Sequence, residues 1–231
     1  MPASTSAMTA NEATAAPESA PRLSVSLVGR LGVRFNGRAI ELRTRKAGAV
    51  LSYLALLEAK QESRERLVGL LWSRSDEEKA RASLRQVVRE LRSMLEEAGY
   101  DGFVAERLMI GIDVGRIEVD IESVIQLAES GRVHPLLLDT PQLDGRLLEG
   151  MDDLDPSFRV WVLAKRQTIH ERLMRNLDEG LTSARVPADA KKRIAAAVVN
   201  LDQKGEGWLA DLTSRMEDRH ETVPRAASGR R

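Results

Sequence analysis

Residues 76–98 read DEEKARASLRQVVRELRSMLEEA, and the rest of the chain takes its meaning from this stretch. On a helical wheel at about 100° per residue with Arg81 at zero, Arg92 falls at about 20°, Arg85 at about 40° and Arg89 at about 80°. Leu84, Val87, Val88, Leu91 and Leu95 fall together between about 240° and 340°. The spacing predicts a helix with a buried side and a neighbouring ladder of arginines. Ser75 or Asp76 caps its start, and Gly99 suits the position just past its end. Glu90 lies opposite Arg81, at about 180°, so its charge faces away from the ladder. A guanidinium can grip a phosphate or bond guanine in bidentate fashion, and the DNA major groove admits one helix. The plainer alternative is ordinary surface pairing, Glu78 with Arg81 or Arg85 and Glu96 with Arg92.

Working back toward the amino terminus, Ser63 caps a helix whose apolar residues are Leu67, Leu70, Leu71 and Trp72. Before it, Thr44 caps a helix opening at Arg45 that repeats Val50, Leu51, Leu54 and Leu57 on one face. Three short strands precede this, over 22–28, 31–35 and 38–42. Leu23, Val25 and Leu27 alternate with polar residues, and Asn36-Gly37 is a strong two-residue hairpin signal. Downstream, residues 102–112 (GFVAERLMIGI) predict a second hairpin turning at Glu106-Arg107, and Ile117, Val119 and Ile121 another short alternating run. The order is a strand hairpin, three helices and a closing hairpin. That is a winged helix-turn-helix, with Arg107 at the tip of the wing, placed to touch a phosphate or a minor groove. Leu84, Val88, Leu91, Trp72 and Trp161 are expected in the core.

From about residue 121 helices dominate. The longest opens at Asp155-Pro156 and runs to about Gly180, with Phe158, Val162, Ile169, Leu173 and Leu177 on one side. Pro187 opens another, to about Asn200, so 156–203 has the shape of one helical hairpin. A weak helix is expected over 206–217, a polar tail after it, and a disordered Ala/Ser/Thr/Pro-rich leader over 1–21.

Composition narrows the function. The 231 residues include no cysteine, which excludes disulfides, thiol nucleophiles and Cys-ligated metal, and fits a cytoplasmic setting. Aromatics are only 3%, so the core rests on Leu, Val, Ile and Ala, which favours packed helices over a β-sandwich. The formal charge of zero is uneven: residues 22–100 carry a net +6 and residues 101–160 a net −8. The basic block makes nucleic acid a candidate partner. No stretch approaches the ~20 apolar residues of a membrane-spanning helix, so no membrane partner is expected. His134, His170 and His220 are scattered, and no HExxH, GxSxG or GxxxxGK[ST] pattern occurs, so no enzyme, metal or cofactor is expected. Asp152, Asp153 and Asp155 lack the alternating spacing of a calcium loop and sit where a helix dipole favours carboxylates.

The stretch ELRTRKAGAVLSYLALLEAKQESRERLVGLLWSRSDEEKARASLRQVVRELRSML resembles the OmpR-type winged helix of SARP-type bacterial transcriptional activators. FVAERLMIGIDVGRIEVDIESV resembles the wing and exit strand of that domain. LLEGMDDLDPSFRVWVLAKRQTIHERLMRNL resembles the start of the bacterial transcriptional activator domain, whose helices are TPR-like. The resemblance spans roughly 22–203. It implies a mainly α fold with small β: leader 1–21, winged helix 22–120, a helical activator-type domain over 121–218 shortened at its end, and tail 219–231. It implies a DNA-binding regulator, an activator on promoter direct repeats that recruits RNA polymerase and pairs as a homodimer on DNA. Ser83, Arg85, Gln86, Arg89 and Arg92 take the DNA-reading places, Arg81 a phosphate at the start of the helix, and Arg45 and Lys46 backbone phosphates. The other reading is a protein-interaction module using the TPR-like helices, with weak or lost DNA binding.

Overall fold

The computed structural model describes residues 21–202 of the chain. The leader up to residue 20, the helix expected over 206–217 and the tail lie outside the described residues.

Three strands open the fold: β1 (Leu23–Ser26), β2 (Gly32–Phe35) and the two-residue β3 (Arg38–Ala39). Asn36 and Gly37 turn β2 into β3 with φ of +49° and +77°, the left-handed pair that a tight hairpin needs. A helical layer follows from α1 (Arg45–Ala55), α2 (Arg64–Leu71) and α3 (Glu77–Glu97). Thr44, Ser63 and Asp76 cap the three helices through their side-chain oxygens, as the sequence predicts. Residues 47–55 of α1 are buried throughout, so this helix is the pillar of the core. Gly48 lets it pass close to its neighbours: a Cβ there would stand 2.8 Å from the Leu31 side chain.

Between α1 and α2 lies β4 (Gln61–Ser63), which the sequence does not announce because its three residues are all polar. It pairs with β6 (Met109–Ile112) of the closing hairpin, whose first strand is β5 (Phe103–Ala105), in the order β4-β6-β5. The wing is thus a three-stranded sheet anchored ahead of α2. After it, β7 (Ile117–Val119) returns to run parallel to β1, Leu23 opposite Ile117, and completes a sheet of order β3-β2-β1-β7.

The remaining helices are α4 (Asp120–Glu129), the short α5 (Pro135–Asp139), α6 (Pro156–Thr182) and α7 (Ala188–Leu201). The molecule is therefore mainly helical with small sheets, a winged helix-turn-helix followed by a helical segment. On α6, Phe158, Val162, Ile169, Leu173 and Leu177 are all buried, as their spacing predicts. α7 folds back on α6 and also holds α5, where the Asn200 amide donates to the carbonyls of Leu137 and Leu138 at 2.8 and 3.0 Å.

Polar side chains stitch the two parts. Asp120 accepts from the backbone N–H groups of Leu27 and Val28 at 2.9–3.1 Å. Asp155 caps α6 and also accepts from the N–H (3.0 Å) and hydroxyl (2.7 Å) of Ser73, in the turn between α2 and α3. The Arg166 guanidinium forks onto Asp152 at 2.8 and 3.2 Å and donates to the Leu147 carbonyl. The acidic run 152–155 is thus structural, one carboxylate per partner.

Leu84, Val88 and Leu91 are buried as expected, but Trp72 and Trp161 are only partly so. Each indole is a lid on the seam. Trp72 lies 5.2 Å below the Lys46 ammonium, and Trp161 packs 4.7 Å from the Tyr53 ring. Tyr100 is fully buried, and burial pushes its phenol up to about 12. Burial and the bond to Glu62 also raise Tyr53. A raised phenol pKa means that the folded state holds its proton longer than the unfolded chain, whose phenols ionise near 10. The stability this contributes is complete below about pH 10 and is lost as pH rises toward 12. The expected outcome is that tyrosinate absorbance of the native protein, which has only these two tyrosines, lags that of the denatured chain at pH ~10. Coincident titration curves would contradict it.

Candidate nucleic-acid interface

α2, the turn over 72–76 and α3 form the helix-turn-helix, and α3 buries Ala80, Leu84, Val87, Val88, Leu91, Met94 and Leu95 against α1, α2 and β5. Burying that stripe forces the arginine ladder outward. Arg81, Arg85, Gln86, Arg89 and Arg92 are all exposed and Ser83 is half-buried. Among the described residues nothing lies over this face.

The ladder is differentiated. Arg81 pairs with Glu77 one turn earlier, both largely exposed, a contact that water and salt weaken. Arg85 has no hydrogen-bond or ion-pair partner among the described residues. Arg89 donates to the Gln86 side-chain oxygen at 2.7 Å, so these two present one joined donor and acceptor set. Arg92 donates to the Ala105 carbonyl at 3.2 Å and fixes the end of β5 nearest the wing tip to the helix. Glu90 does face away: its carboxylate approaches the Thr44 hydroxyl at 3.5 Å, near the start of α1.

Arg64 joins this cluster, and the sequence reading passed over it. It lies at the first position of α2, where its backbone N–H donates to the Leu108 carbonyl and its Nε to the Glu106 carbonyl, both at 2.9 Å. Partial burial, then the charges of Arg92 and Arg85, draw its guanidinium below the ordinary arginine value. Crowded cations of this kind gain from an anion placed among them. The signal in the sequence was only a basic residue next to a helix cap. What makes it part of the site is the wing folding back on α2.

A trough runs between α3 and the wing tip. Arg64, Arg81, Arg85 and Arg107 line it together with Leu108 of the tip, its carboxylates are Glu65 and Glu77, and Val68, Leu84 and Met109 supply an apolar floor. Arg107 is exposed at the tip, but the Glu106–Met109 pairing sets the turn at Arg107-Leu108, one residue beyond the Glu106-Arg107 turn the sequence predicts; Arg107 shares the trough with Arg81 and Arg85 of the ladder.

Arg45 and Lys46 are placed elsewhere. Arg45 forks onto Asp153 and donates to the Gly150 carbonyl at 2.6 Å, and the Asp153 hydrogen bond holds the guanidinium above its usual value. Lys46 is half-buried, bonded to the carbonyls of Leu71 and Leu154, and burial draws its ammonium down against the pull of Asp155. Both hold the first helix to the 150–155 segment, so the structure does not bring them together with the ladder.

No protein-family model matches the chain, and no curated protein does. Among solved structures the chain is similar to one described as Mycobacterium tuberculosis EmbR in complex with low affinity phosphopeptide. The two share 18% identity over 86% of this chain and 51% of that one, with a TM-score of 0.53. The chain thus spans about half the length of that protein, and the likeness is one of fold. No helix among the described residues is long and apolar enough to cross a membrane.

Proposed function

We propose that the chain is a sequence-specific transcriptional regulator of the SARP kind that binds double-stranded DNA. The observation that carries this reading is the open arginine face of α3 sharing one trough with Arg64 and Arg107. In the reading, α3 lies in the major groove. Arg85 and the joined Gln86–Arg89 pair meet base edges, Ser83 and Arg92 lie beside them, and Arg81 meets a phosphate at the start of the helix. Arg64 and Arg107 neutralise backbone phosphates, the role first expected of Arg45 and Lys46, whose donors are engaged within the chain. Residues 22–120 act as the DNA-binding part and the helices beyond as the part that touches other proteins. The chain acts in the cytoplasm as an activator, paired on direct repeats with RNA polymerase alongside, and catalyses no reaction.

The test is selection from a random-sequence duplex library followed by gel-shift titration at two salt concentrations. A common sequence element and a steep fall of affinity with salt are expected. Arg107→Ala should lower affinity for all duplexes alike and reduce the salt slope by about one. Arg45→Ala should leave the slope unchanged. A wild-type slope near zero would reject the reading.

A second reading, a protein-interaction module, is favoured by α6. Val160 and Leu163 are 69% and 49% exposed on its first turns, beside the half-buried Trp161. Absence of any retained duplex at low salt, together with a stable co-purifying partner, would select it.

A further inference from the structure

The tip of the wing carries an apolar side chain that the fold does not use. The pairing of β5 with β6 ends at Ala105 opposite Ile110, and the Glu106 N–H donates to the Met109 carbonyl at 2.9 Å. Arg107 and Leu108 are left as the two-residue tip. Leu108 is 72% exposed, the most exposed large apolar side chain among the described residues. Its carbonyl accepts from Arg64 N–H, a duty that any residue could perform. Polar and small residues are the usual choice at such a position. The same bond, with that from Arg64 Nε to Glu106, bolts the tip to α2 and presents the side chains of Arg107 and Leu108 rigidly.

The trough fixes which way the tip faces. In a duplex each sugar–phosphate strand is the wall between the major groove and the minor groove. Four guanidinium groups on the rim and an apolar floor suit one such strand, phosphates against the arginines and deoxyriboses against Val68, Leu84 and Met109. With α3 in the major groove on one bank, the opposite bank faces the adjoining minor groove. That bank is the tip, and a two-residue turn is narrow enough for a groove about 6 Å wide.

Resting on the DNA-binding reading above, we propose that Leu108 enters the minor groove beside Arg107 and sets a specificity there. It packs on a floor of A·T pairs and is refused where the guanine 2-amino group projects. Arginine alone reads the charge of a narrow groove; the apolar neighbour adds discrimination against a polar group it cannot bond.

The probe is a duplex selected from the random library by the full chain, then remade with A·T, G·C or inosine·C pairs beside the element read by α3. Inosine·C matches G·C in the major groove but lacks the 2-amino group in the minor groove. The wild type should bind the A·T and inosine·C duplexes alike and the G·C duplex about tenfold more weakly, a loss typical of one disfavoured base pair. Leu108→Ala should shrink that ratio to about twofold or less, Leu108→Met should keep it, and Arg107→Ala should weaken all three duplexes together. Thermal melting of Leu108→Ala should match the wild type, since the side chain is outside the core. An unchanged ratio in Leu108→Ala, or no difference between inosine·C and G·C in the wild type, overturns the proposal while leaving DNA binding intact. Failure of the wild type to retain any duplex overturns both.

Discussion

Replacing Arg85 and Arg89 together by alanine is expected to lower affinity for the selected duplex about a hundredfold or more, taking ~1–3 kcal/mol for each base contact. Binding to unrelated DNA should fall far less, because Arg64, Arg81 and Arg107 still neutralise phosphates. The effect is large because these two groups differ from the others on the ladder. Among the described residues Arg85 holds no partner and Arg89 is joined only to Gln86, so neither needs freeing from a carboxylate there before it binds. Arg81 and Arg92, by contrast, have contacts with Glu77 and the Ala105 carbonyl to give up. Removing Arg89 also releases the Gln86 amide, so the double variant need not equal the sum of the singles. Both side chains are exposed, so melting temperature should move little. An isotherm that coincides with the wild type, at unchanged melting temperature, would falsify the placement of α3 in the groove.

What the sequence revealed here, and what it hid, follows from the range of the interactions. Thr44, Ser63 and Asp76 could be read as caps because each bonds backbone two or three residues away. The arginine ladder could be read because helical periodicity is local and the neighbouring stripe of Leu and Val fixes which face is buried. Arg64 could not be read, because its cluster exists only once residues about 42 positions downstream fold back on it. Arg45 and Lys46 look like free cations in the sequence; their partners Asp153 and Leu154 lie 108 residues away. β4 has no apolar alternation to betray it, and its pairing is imposed by β6. Trp72 and Trp161 read as core, yet each packs against it only partly buried.

The Lys60–Glu122 ion pair joins the turn after α1 to α4. Glu122→Ala should destabilise the protein by roughly 3 kcal/mol, the low end for breaking a buried pair because the Glu122 side chain is 40% exposed. The cause is what remains. Lys60 follows α1 with a left-handed φ of +52°, and its side chain is 4% exposed, holding the Ala55 carbonyl and the Glu122 carboxylate on α4. Without Glu122 the ammonium is left in the interior with one neutral acceptor, too few for a charged group with three donors. Lys60→Met removes the charge and keeps most of the volume, so it should cost less than Glu122→Ala, although it strands the carboxylate nearer to water. The double variant Lys60→Met/Glu122→Ala should recover much of the loss, since no buried charge then lacks a partner. Urea unfolding of the four proteins, with equal m-values, measures the coupling. A double variant as unstable as the sum of the singles would show that the pair acts as two independent side chains and that the seam is held by apolar packing of α2 and α4 on α6 alone.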